Sequence, residues 1–125
     1  MQYSLKIKGK LNNLNDYIAV CRTNPYAGAK MKAKNEQIVK YAIYEQLHGV
    51  RIVTPVVMEY TWIEPNRRRD LDNISSFGRK VIQDALVESG VLKNDGWKEI
   101  CGFSDSFKVD KEEPRIEVEI REVER

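Results

Sequence analysis

Tyr3, Leu5 and Ile7 alternate with Ser4, Lys6 and Lys8, the period of a half-buried strand. Gly9 and the Asn12-Asn13 pair break the alternation and offer helix caps. Leu14, Tyr17, Ile18 and Cys21 then fall at i, i+3, i+4 and i+7, which predicts a short helix. Asn24-Pro25-Tyr26-Ala27-Gly28 has the composition of a turn. A second helix is expected over 29–47, with Met31, Ile38, Ala42, Ile43 and Leu47 facing inward.

His48-Gly49 ends that helix, and 51–64 is rich in Val, Ile, Thr, Tyr and Trp, reading as a long strand. Pro55 inside it implies an edge position or a bulge. A third helix is expected over 72–89, capped by Gly90, with Ile74, Phe77, Gly78, Val81, Ile82 and Ala85 on its core face. Lys93-Asn94-Asp95-Gly96 is a turn by composition. Strands are expected over 97–107 and 115–123, joined by a charged turn ending at Pro114. The order β-α-α-β-α-β-β predicts one domain over 1–125, a mixed α/β or α+β fold of about four strands with three helices on a sheet.

Composition narrows the function without choosing it. A chain of 125 residues, 42% hydrophobic and 32% charged, builds a core without staples. Net charge is only +2, so any nucleic-acid surface must be a local patch. Cys21 and Cys101 form no CxxC, and with a single histidine a zinc site is not expected. No signal-peptide core or long apolar span is visible. The reading is a cytoplasmic protein, at the nucleoid when bound to DNA, with no membrane role and no organic cofactor.

The chemistry concentrates at Arg67-Arg68-Arg69-Asp70-Leu71-Asp72-Asn73, between the long strand and the third helix. Two carboxylates at i and i+2 on a strand-to-helix junction are suited to hold a divalent metal through oxygen. Arginines beside them suit the phosphates on which such a metal acts. Asn73, Lys80 and Asp84 share one flank of the helix, within about 40° of one another at 100° per residue. Such a flank is ordinarily a surface ion-pair stripe, but this one starts at the carboxylate pair, where a lysine can stabilise charge on a cleaved phosphodiester. A capping role explains Asp72 alone; it does not explain Asp70 behind three arginines. Lys30, Lys32, Lys34 and Lys40 are read as exposed on the second helix, and the first three as an extension of a phosphate surface. Trp62 and Trp97 are assigned to core or interface rather than to base stacking, since each sits in strand-like sequence.

The ordered set of Arg67 to Asn73, Lys80, Asp84-Ala85-Leu86, Gly90 and Asn94-Asp95 resembles the RusA family of Holliday junction resolvases. That resemblance, clearest over 67–99, implies a small homodimeric, magnesium-dependent endonuclease that nicks four-way DNA junctions symmetrically. It implies Asp70, Asp72 and Asp95 as the catalytic, metal-holding acids and Lys80 as the catalytic lysine, with Mg²⁺ as the ion and Mn²⁺ as a substitute. Arg67, Arg68 and Arg69 would hold the DNA backbone, with Lys30, Lys32 and Lys34 extending that surface. The chain departs from the pattern in two places. About four additional residues, Ser75-Ser76-Phe77-Gly78, precede Lys80 and move it about 6 Å along the helix axis on nearly the same face. The family's proline-rich start is replaced by Leu11-Asn12-Asn13-Leu14-Asn15-Asp16-Tyr17.

Two other functions fit the same residues: a non-catalytic DNA-binding or phage-assembly module using the arginines alone, and a metal-dependent nuclease for other branched or flapped nucleic acids. Chain length adds a geometric expectation. A helix over 72–89 is about 25 Å long, whereas the segment from Ser89 to Asp95 spans at most about 20 Å. Asp95 thus reaches Lys80 easily. It reaches Asp70 and Asp72 only if the helix starts late, with Ser75-Ser76 irregular, if the turn folds back, or if Asp95 serves the partner's site.

Overall fold

Alternation carries β1 (Gln2–Lys8), whose Leu5 and Ile7 point into the core while Ser4 and Lys6 stay exposed. A computed structural model provides the fold, and its described residues are 1–123. The other elements are α1 (Leu14–Thr23), α2 (Pro25–Gln46), β2 (Val56–Glu64), α3 (Leu71–Glu88), β3 (Ile100–Val109) and β4 (Arg115–Glu122). Three helices and a four-stranded mixed sheet in the order β-α-α-β-α-β-β match the α+β expectation.

The sheet runs β1-β4-β2-β3, with β4 antiparallel to both neighbours and β2 parallel to β3. A parallel pair needs a crossover, and α3 supplies it. One face of the sheet, including Leu5, Met58, Tyr60, Trp62, Val118 and Ile120, packs with Val39 and Ile43 of α2 and Phe77, Val81 and Ile82 of α3 in a single core. The opposite face is polar, with Ser4 donating to Glu119 at 2.8 Å. The helix layer closes on itself by stacking Tyr17 on Phe77, with ring centroids 4.7 Å apart.

Four local expectations change. The turn at 24–28 is instead the start of α2: Asn24 caps it by accepting from the Tyr26 amide at 2.9 Å, and Pro25 takes the first helical position, where no amide donor is needed. Ile38 lies on the outer side of α2 at 42% exposure rather than inward. The long strand begins at Val56, because 51–55 contributes only a bridge from Ile52 to Leu92. Pro55 stands just outside β2, which is central rather than an edge; the bulge is present beside it, between Val56 and Val57 on the β3 side. Finally, β3 starts at Ile100, which leaves Trp97 outside the strand in a turn.

Candidate active site

Glu64 ends β2 and is 5% exposed, a depth at which a carboxylate needs a partner. Arg69 provides it in a two-pronged pair, Nε to Oε1 at 2.8 Å and Nη2 to Oε2 at 2.7 Å. The same guanidinium donates from Nη1 to the Leu11 carbonyl at 2.9 Å, tying the β2–α3 loop to the segment before α1. The Asn66 side chain accepts from the Arg68 amide at 3.0 Å and shapes the turn between. Asp70 therefore emerges from a braced loop. Its extended backbone precedes α3, its carbonyl accepts the first helical bond from the Ile74 amide, and its side chain makes no cap bond.

Asp70 and Asp72 are both exposed, and neither carboxylate has a hydrogen-bond or ionic partner among the described residues. Arg67 and Arg68 are exposed beside them and likewise unpaired among the described residues. A cleft of about 470 Å³ opens here, lined in part by Asn66, Arg67, Asp70, Phe107 and Lys108. A hard divalent ion that keeps several waters and needs one or two carboxylates fits this donor set. Asp72 and Asp70 would hold it. Neither the Glu64 pair nor its braced loop was foreseen, because pairing at i and i+5 across a strand end has no periodic signature; the only hint was a glutamate closing an apolar strand five residues before an arginine.

Lys80 sits about two turns further along α3 and donates to Asp95 Oδ2 at 3.0 Å, with Asp84 Oδ1 at 3.1 Å. Asp84 in turn accepts from Lys32 at 2.8 Å, joining α2 to α3. The hydrogen bond to Asp95, then the one to Asp84, raises the Lys80 ammonium above its ordinary value, so it stays a cation at neutral pH. Partial burial raises Asp84, but the hydrogen bonds from Lys32 and Lys80 outweigh this and hold it below the usual carboxylate range.

The structure therefore sorts the expected residues into two groups. Asp70, Asp72, Arg67 and Arg68 share the β2–α3 junction, while Lys80, Asp84 and Asp95 form a second cluster along the helix. Among the described residues no three acidic, histidine or cysteine side chains converge on a metal position, and Asp95 is held at Lys80 rather than beside Asp70 and Asp72. The late helix start is overturned: α3 begins at Leu71, and Ser75 and Ser76 are helical, donating to the Leu71 and Asp72 carbonyls. Arg69 is occupied by Glu64 and Lys32 by Asp84, so neither presents a free cation, whereas Lys30 and Lys34 are exposed.

A family model described as endodeoxyribonuclease RusA matches residues 15–121. The chain belongs to the RusA endodeoxyribonuclease family. It is thus an endodeoxyribonuclease, and the RusA family acts on Holliday junctions. The match takes in both clusters and everything from α1 into β4, so RusA membership rests on nearly the whole chain rather than on one motif. RusA nucleases generally depend on a divalent metal, which agrees with two unpaired carboxylates at the junction. No curated relative matches the chain. No helix among the described residues is long and apolar enough to cross a membrane.

Proposed function

We propose that this RusA-family chain resolves Holliday junctions by Mg²⁺-dependent paired cleavage, acting as a homodimer on four-way DNA. The observation that carries the reading is the Asp70–Asp72 carboxylate pair, unpaired among the described residues, on a loop braced by Arg69–Glu64 and flanked by the exposed Arg67 and Arg68. Asp70 and Asp72 hold the ion, and the chemistry it supplies when bound is polarisation of the scissile phosphate and activation of water. Arg67 and Arg68 hold backbone phosphates and fix the strand against the carboxylates. Lys80, a cation at neutral pH, supplies positive charge as the phosphodiester gains negative charge. Mn²⁺ is expected to replace Mg²⁺, since both take oxygen ligands.

The test is a labelled four-way junction beside a linear duplex of the same sequence, each with and without Mg²⁺. Symmetric nicks in the junction alone, dependent on the ion and lost in Asp70→Asn, are the expected result. Equal cleavage of both DNAs would reject junction selectivity, cleavage of flapped or three-way DNA in preference would move the substrate to another branched form, and binding without cleavage would leave only a DNA-binding module.

A further inference from the structure

Trp97 is 95% exposed, the most exposed of the large apolar side chains in the described residues. An exposed indole, apolar in body with a polar N–H, is a side chain suited to a contact surface, and what it contacts is set by its surroundings. Its backbone is not loose. The Gly96 carbonyl accepts from both the Glu99 amide at 3.1 Å and the Ile100 amide at 2.9 Å. The Glu99 carbonyl is taken by the Val56 amide at 2.8 Å, and Asp95 is tied to Lys80. The turn thus holds the indole outward on a fixed base, two residues from a candidate catalytic acid.

Across a shallow cleft of about 260 Å³ from Trp97 lies Phe103, 52% exposed at the sheet edge. The Arg79 guanidinium covers that ring at 4.5 Å and is itself fixed by Asp105. Gln83 and Asp95 add polar groups to the cleft. Lys93 and Lys98, on either side of Trp97 in the chain, are exposed and form no ion pair among the described residues. An exposed indole at the rim of a cleft that also holds an aromatic ring, with exposed lysines close by in the chain, is the chemistry of single-stranded nucleic acid, in which bases stack and phosphates meet lysine.

We propose that the Trp97–Phe103 cleft receives a base that comes unpaired at the branch point of the DNA substrate, with Trp97 as the stacking platform and Lys93 and Lys98 on the adjoining phosphates. The proposal rests on the resolvase reading for its substrate, and it gives the Asp95 turn a role in choosing DNA whose bases are already unstacked. A base paired and stacked in a continuous duplex cannot enter such a cleft without an unstacking cost, so the cleft discriminates in favour of branched or distorted DNA.

The test measures binding in EDTA, where cleavage does not intrude. The probes are a duplex bearing one unpaired 2-aminopurine and its fully paired counterpart. Wild-type protein should bind the unpaired probe more tightly and quench its fluorescence. Trp97→Ala should weaken binding to the unpaired probe about 5- to 150-fold, the equivalent of one stacked base. Trp97→Phe should retain most of the preference. No quenching by the wild type, an unchanged preference in Trp97→Ala, or equal weakening on both probes would overturn the proposal. So would a smaller sedimenting species for Trp97→Ala, which would place the indole between two copies of the chain. Junction cleavage by the wild type in Mg²⁺ is scored separately, so loss of the stacking effect with cleavage intact rejects this inference alone, and loss of cleavage with stacking intact rejects only the resolvase reading.

Discussion

A carboxylate as buried as Glu64 requires a cation at contact distance, and Arg69 meets that requirement with both oxygens. The three consecutive arginines are therefore not equivalent. Arg69→Ala leaves a buried charge unpaired and should destabilise the fold by about 3–5 kcal/mol. That lowers the melting temperature by about 10–20 °C for a chain of this size, readable by calorimetry. Arg67→Ala or Arg68→Ala should leave the melting temperature within a degree or two, and each should flatten the dependence of log affinity on log salt by about 0.9. A normal melt for Arg69→Ala would remove the brace from the account; an unchanged salt slope for Arg67→Ala and Arg68→Ala would remove the phosphate contacts. Asp84 makes a second prediction at this scale. Its folded value lies below its unfolded one, so its pairs stabilise fully above the unfolded value of about 4 and are lost as pH falls through the folded value. Lys32 and Lys80, both raised, act in the opposite limb: their contribution is complete below about 10.4 and is lost as pH climbs through their folded values. Asp84→Asn should flatten melting temperature against pH in both limbs, and equal slopes for variant and wild type would refute the assignment.

Among the elements, α3 carries the site and is seated by a glycine. A β-carbon at Gly78 would stand 2.8 Å from two ring carbons of Trp62, whose indole is also held by a hydrogen bond to Asp105 at 2.8 Å. Gly78→Ala gains about 1 kcal/mol of helix propensity but overpacks the site at a cost of about 1–3 kcal/mol. The expected net is a lower melting temperature and lower nicking activity, since the whole helix with Asp72 and Lys80 must shift; a stabilised variant would show that Trp62 yields. The identity and order of the elements were legible because period-2 and period-3.6 patterns are local. The start of α2 was misread because an Asn-Pro pair serves equally as turn and as helix entry until the following residues are seen to continue the helix. Trp97 was misread because Val, Ile and Trp raise strand propensity on both sides of a turn whose conformation is set by bonds to the Gly96 carbonyl. The insertion of β4 between β1 and β2 leaves no trace in any window, since pairing of the first and last strands is a long-range choice. At the site, Asp70, Asp72 and the Lys80–Asp95 reach followed from spacing and chain length; the division of the arginines depended on which acid is buried.

At the scale of the whole molecule the two clusters pose a question that one chain does not answer alone. Lys80 lies eight residues beyond Asp72 on a continuous helix, about 12 Å along its axis, and Asp95 is bound at Lys80. The helix neither starts late nor carries an irregular turn at Ser75-Ser76, which leaves a turn folded further back, or the partner's site, as the routes by which Asp95 would meet Asp70 and Asp72. A two-fold junction nicked symmetrically calls for two sites related by a two-fold axis, and a C₂ homodimer whose axis set one protomer's turn against the other's α3 would meet that requirement. In that arrangement Asp95 of one protomer would complete the acid set of its partner. Mixing Asp70→Asn protein with Asp95→Asn protein, each inactive alone, tests this. If sites are shared, each heterodimer holds one fully native acid set, drawn from Asp70 of one protomer and Asp95 of the other, so single nicks should return to as much as half of the mixed population. If sites are formed within one protomer, both sites of every heterodimer carry a lesion and the mixture stays inactive.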